Sequence, residues 1–257
     1  WDAYRRAGQG LLALEQLERT LSVAEMVSRE RGPMNALLGG ERSDEVARLK
    51  ALQDARLRTD LALETAVSLD GGQALALLAP QRGAPMGSSV AQELLSAREA
   101  LSRARARVDQ LAALPSSDRD TESVRSVVAQ MVAVVDGLSI PIDRLTHHAV
   151  VAHPELADAI RGARMAAELR EHAGRLGSLF TPALHEARPF NASEYAAIEQ
   201  ERGRIDQLHQ LLDMRLRAVT EWSAVQVAAN EVRARYLGAA GRQVERIIVC
   251  GRSDGRY

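Results

Sequence analysis

The chain has 257 residues, with 33 basic and 34 acidic side chains, 46% hydrophobic residues and only 3% aromatic ones. That length holds one large domain or two ordinary ones. The net charge of −1 leaves no global field to draw in nucleic acid or an anionic membrane, and the shortage of aromatics argues against β-sandwiches and barrels.

Ala, Leu, Arg, Glu and Gln dominate, and these residues favour helices. Lys50 is the only lysine and Cys250 the only cysteine. A lone thiol excludes an internal disulfide and a cysteine-based zinc site. No run approaches the ~20 apolar residues of a spanning helix. The chain opens at Trp1 within a helical pattern, so a segment of a larger protein is expected, with targeting and membrane segments outside it.

In chain order, the first helix runs from Asp2 to the Arg31 region, with Leu14, Leu17, Leu21 and Ala24 on one face. Gly32-Pro33 is expected to interrupt or kink it and Gly39-Gly40 to end it. Ser43 or Asp44 caps a second helix whose apolar positions include Val46, Leu49, Leu52, Leu57, Leu61 and Leu63. Gly71-Gly72 and Ala79 to Ser89 read as loop. A third helix covers Val90 to Ala113, and Pro115 to Asp118 closes it and caps a fourth, Arg119 to Leu138. Pro141 then kinks or breaks the chain before Ile142 to Val151.

His153-Pro154 opens a long fifth helix to Ala183, disturbed at its end by Thr181-Pro182. After the loop Arg188-Pro189-Phe190-Asn191, a sixth helix starts near Ser193. It carries the heptad seam Ile198, Ile205, Leu212 and Val219, with Leu208 and Trp222 interleaved. A last helical stretch spans Val225 to Val249, and the glycine-rich tail from Gly251 to Tyr257 is expected to fray. Val23 to Leu38 and Ala166 to Leu184 resemble each other faintly, as two copies of one helical module would. The expectation is an all-α, elongated antiparallel helical bundle, or two stacked four-helix-type modules. Residues 1–150 form the first module and 151–257 the second.

No nucleophile elbow, P-loop or dinucleotide fingerprint occurs. An enzyme is not expected, and no cofactor or metal is implied. Asp206 to His209 is the nearest approach to a di-iron ligand pair and occurs once. His147, His148 and His153 cluster by Pro154 and read best as solvated histidines.

The informative feature is polar residues on apolar seams. Extending the first helix's stripe gives Ser28, Arg31 and Asn35. In the fifth helix the stripe Met165, Leu169, Leu176 and Leu179 includes His172, with Arg175 beside it. A buried guanidinium needs a carboxylate, a bound water or a ligand, and polar gaps between bundle helices hold small ligands. The competing expectation is a structural ion pair, with Glu25, Glu30 or Glu201-Arg202 supplying partners, or a stripe that frays at the Gly-Pro step.

The segment Ser28-Arg29-Glu30-Arg31-Gly32-Pro33-Met34-Asn35, followed by Leu37-Leu38-Gly39, resembles the helical periplasmic sensor domains of bacterial transmembrane receptors. Its Arg-Glu-Arg-Gly core is similar to that of nitrate- and nitrite-sensing helical domains, from which it departs at Pro33. His172 to Ser178 distantly resembles the ligand box of nitrate-responsive sensor kinases. The resemblance implies a sensor region on the periplasmic face of the bacterial inner membrane. It would precede a diguanylate cyclase, chemoreceptor or histidine kinase output module and be anchored by flanking segments. It also implies a homodimer, a small anionic or polar ligand held by Arg29 and Arg31, and helix displacement as the signal. The alternative expectation is a soluble helical scaffold or adaptor that binds partner helices.

Overall fold

The structure, a computed structural model, describes residues 2–39, 44–68, 89–218 and 223–257. Trp1, Gly40, Ser43, Gly71-Gly72, the loop up to residue 88, Val219 and Trp222 lie outside the described residues. Among those described there is no strand, and the chain is all-α as expected. The helices are α1 (Asp2–Gly39), α2 (Glu45–Ser68), α3 (Val90–Ala112), α4 (Thr121–Gly137), α5 (Ser139–Ala152), α6 (Ala157–Glu186), α7 (Ala192–Ala218), α8 (Ser223–Arg235) and α9 (Gly241–Ser253). Two compact units divide between Arg164 and Met165, within α6, fourteen residues beyond the boundary expected from sequence.

Unit 1 is an up-down-up-down bundle, and its cross-links fix the directions. Arg19 of α1 donates to the Thr65 carbonyl and Arg56 of α2 lies against Glu30, so α2 runs back along α1. Arg56 meets Asp109 and Asp60 meets Arg105, which turns α3 against α2. Arg107 reaches Ser123 and Arg144 reaches Glu93, so α4 and α5 together return as the fourth rod. Leu17, Val27, Met34, Leu38, Leu52, Leu101, Val108, Val124, Val127, Met131 and Leu145 meet in its core.

Local chemistry explains the helix ends. Ser89 and Gln92 form a reciprocal capping box on α3. Asp120, not Asp118, caps α4 by accepting from the Ser123 amide at 2.8 Å. The break between α4 and α5 falls at Leu138, so Pro141 sits in the first turn of α5, where helices tolerate it.

Pro33 does not end α1, which continues to Gly39. A proline there removes one bond, to the carbonyl of Arg29. Arg29 is solvent-exposed, so water can take that bond. Arg119 then closes this end of the bundle. Its buried guanidinium donates to the carbonyls of Leu37 (2.9 Å), Leu111 (3.0 Å), Leu114 (3.1 Å) and Ala112 (3.1 Å), satisfying the last turns of two helices at once.

The stretch Thr121–Ala152 contains an 18-residue window of mean hydropathy 1.4 and is long and apolar enough to cross a membrane by length and composition. The sequence reading found no such run. Val124, Val127, Met131, Val134 and Val135 of this stretch lie in the core of unit 1.

Unit 2 consists of three antiparallel rods among the described residues, rather than a second set of four. His172 of α6 meets Glu201 of α7. Along α7, Tyr195, Arg202 and Asp213 meet Arg252, Glu245 and Arg233 in turn, so α8 and α9 form one returning rod. A π turn, Tyr236–Ala240, joins them, with Gly238 at φ −84°, ψ −122°. Ile198 and Ile205 of the expected seam are fully buried, and Leu208 and Leu212 pack against that core.

The tail does not fray. The Phe190 amide donates to the Gly251 carbonyl at 2.7 Å, and the Tyr257 hydroxyl donates to the Arg188 carbonyl at 2.9 Å. A Cβ added at Gly251 would lie 2.1 Å from the Phe190 ring, so this contact requires glycine. α6 likewise runs through Pro182 to Glu186. It ends in a Schellman turn with Ala187 at φ 47°. Asn191 and Glu194 then cap α7 reciprocally.

Candidate functional site

The polar face of α1 enters the core of unit 1. The buried line runs through Ala13, Thr20, Val27 and Met34, and alongside it through Leu17, Ala24, Arg31 and Leu38. The stripe is therefore turned slightly from the one expected, and Arg31 is fully within it at 1% exposure. Arg31 Nη2 donates to Ser28 Oγ at 2.7 Å, both groups being buried. Asn35 lies one turn further at the margin of the core, half-buried.

Glu30 points to the other flank of α1 and is also 1% exposed. Arg105 grips it with two parallel bonds, Nε to Oε1 and Nη2 to Oε2, both 2.8 Å, and extends Nη1 to Asp60 at 2.6 Å. Arg56 approaches Glu30 at 3.7 Å and holds Asp109 at 2.8 Å. Three helices are thus tied around one buried carboxylate. Burial alone would lower the pKa of Arg105, but hydrogen bonds and charge from Glu30 and then Asp60 outweigh it and raise it above the ordinary value.

Successive residues on a helix are turned about 100° apart. Ser28 therefore lies about 160° around α1 from Glu30 and Arg31 about 100°, and Ser28 shares the direction of Gly10, which packs against Ala152 and His153. A Cβ on Gly10 would fall 2.6 Å from the Ala152 Cβ, which shows how closely the two rods approach there. Two chemistries are thus separated on α1. One flank carries the Glu30 ion-pair network, and Arg31 and Ser28 form a second buried polar pair.

The remaining expected residues do not join this group. Arg29 is solvent-exposed and pairs with Glu25 one turn back, at 2.6 Å, on the outside of the helix. His172 and Arg175 belong to unit 2. His172 Nδ1 lies 2.6 Å from Glu201 Oε2, and Arg175 donates to Glu171 at 2.8 Å. Glu201 also accepts from Arg204 at 3.0 Å. Of these partners, Glu201 is one the competing expectation offered, whereas Glu171 and Arg204 are not.

His147 and His148 are both exposed, with ring centroids 6.0 Å apart. Burial first, then the neighbouring charges of His147 and Arg144, pushes the His148 pKa below its usual value. His153 sits apart from both, against Gly10, with Glu155 at 3.2 Å. Among the described residues no group of His, Cys, Asp and Glu is arranged to hold a metal.

Sequence reasoning missed Arg105, Arg56, Asp60, Asp109 and Arg119. Glu30 and Arg105 are 75 residues apart, and no local spacing pairs them. The chain matches no family model, no curated protein and no solved structure.

Proposed function

We propose that this chain is an extracytoplasmic ligand-sensing region of a membrane-anchored bacterial receptor, with the ligand site in unit 1 at Arg31. One observation carries the reading. A guanidinium and a hydroxyl, those of Arg31 and Ser28, lie together inside a helical bundle, on a face of α1 turned away from the Glu30 network. A buried guanidinium beside a hydroxyl is a donor set suited to a small anion or polar metabolite.

Binding there biases the packing of α1 against the α4–α5 rod. The signal is a shift between two packings of the same rods. Ser28 orients the guanidinium and Arg31 supplies the charge. The output module and the membrane segments belong to the parent protein.

Calorimetric titration with nitrate and small carboxylates tests the site. Binding is expected in the wild type and its loss in Arg31→Met, with thermal melting to show that the variant remains folded. Equal affinity in both proteins removes the site. A parent gene without a spanning segment on either side of this chain removes the receptor.

A second reading, a helical scaffold that docks partner helices, is supported by a separate observation. Val46, Leu57 and Leu61 of α2 are 85%, 68% and 64% exposed.

A further inference from the structure

The sequence places Val46, Leu49, Leu57 and Leu61 among the apolar positions of α2, yet the core takes only Leu52, Ala55, Thr59, Leu63 and Ala66. The opposite side of the helix is centred on Leu57. Lys50 lies seven residues before Leu57 and Glu64 seven residues after it, and both are exposed and within about 20° of its direction around the helix. Gln53 and Leu61 lie four residues to either side. Among the described residues neither Lys50 nor Glu64 makes an ion pair within the chain.

This arrangement is self-complementary in one orientation only. Two copies of α2 laid side by side and antiparallel, with the twofold axis at Leu57, bring Leu57 onto Leu57 and Gln53 beside Leu61. Each Lys50 then meets a Glu64, twice by symmetry. A parallel pair in register would set Lys50 on Lys50 and Glu64 on Glu64, which repel. We propose that the exposed face of α2 is an interaction surface for a second copy of this chain, packed antiparallel about Leu57.

The contact rests on no part of the ligand reading. It does constrain a receptor. Two copies anchored in one membrane have their twofold axis along the membrane normal, so this pair requires α2 to lie along the membrane surface.

Sedimentation equilibrium on the purified chain tests the pairing. The mass is expected to rise with concentration from 27.9 kDa toward twice that value. Lys50→Glu and Glu64→Lys should each weaken association by about tenfold or more, because two attractive pairs become repulsive. The double reversal restores it, and Leu57→Glu abolishes it. All three positions are exposed, so folding should be unchanged. In a Cys250→Ser background, a short bismaleimide should join copies through Leu57→Cys but not through Val46→Cys, whose two copies stand about 33 Å apart in an antiparallel pair. A monomer at every concentration overturns the proposal. So does a dimer indifferent to the charge reversals, or cross-linking at both positions.

Discussion

Each unit carries a carboxylate that meets nitrogen donors from two side chains, and the two sites differ in how much water reaches them. In unit 1, Glu30 is 1% exposed, and the arginines around it come from two other helices. In unit 2, Glu201 is 9% exposed and its partners, His172 and Arg204, keep a larger share of solvent. The chemistry is alike, a carboxylate held by nitrogen donors. What changes is the cost of removing one partner. Water can replace a lost donor at the rim of α6 and α7, and it cannot at the centre of α1, α2 and α3.

The largest expected effect follows from that contrast. Glu30→Ala leaves the Arg105 and Arg56 guanidinium groups against a core without their central carboxylate, and should destabilise unit 1 by about 3–5 kcal/mol in a guanidinium chloride titration. Pairing Glu30→Met with Arg105→Met should recover most of the loss, because two apolar side chains of similar volume replace the buried pair. If Glu30→Ala costs no more than a surface substitution, the network is not buried in solution and the contrast fails. In unit 2, His172→Ala should cost only about 1 kcal/mol, the value of one partly exposed hydrogen-bonded pair. A cost equal to that of Glu30→Ala would erase the distinction between the units.

The same contrast shows what the sequence made legible. The all-α class and the third helix followed from periodicity and turn residues, and so did the loop at Arg188-Pro189. Arg31 was found because it interrupts an apolar stripe, and a stripe is a local property. Its neighbour Glu30 was recognised only as a partner in waiting, since Arg105 comes from another rod and a pairing across 75 residues leaves no spacing to read. Arg29 was grouped with Arg31 by a motif, but two residues along a helix are about 200° apart around it, so the two cannot share a face. Pro33 was expected to interrupt or kink its helix and Pro182 to disturb the end of its own. Each sits inside a helix held on both sides by tertiary packing, which outweighs the loss of one backbone bond. The apolar positions expected for α2 did not separate its inward from its outward face: Leu52 and Leu63 are buried, while Leu57 and Leu61 are exposed.

The smallest expected effect sharpens the comparison from the opposite direction, as a gain. Ala187 closes α6 at φ 47°, a left-handed conformation that crowds a Cβ. The turn persists because its bonds are good. The Ala187 amide donates to the Leu184 carbonyl and the Arg188 amide to the Ala183 carbonyl, at 3.3 and 3.1 Å. Arg188 in turn binds both oxygens of Glu194, at 2.7 and 2.8 Å, and receives the Tyr257 hydroxyl on its carbonyl. The turn is thus held from outside by the start of α7 and by the tail. Ala187→Gly relieves the crowding and leaves those bonds in place, so unit 2 should gain about 0.5–1 kcal/mol, less the entropy that glycine returns to the unfolded chain. Thermal unfolding should show a small rise in Tm, largest when Tyr257→Phe has already removed one of the outer bonds. A fall in Tm would mean that the Ala187 methyl contributes packing greater than the strain it creates.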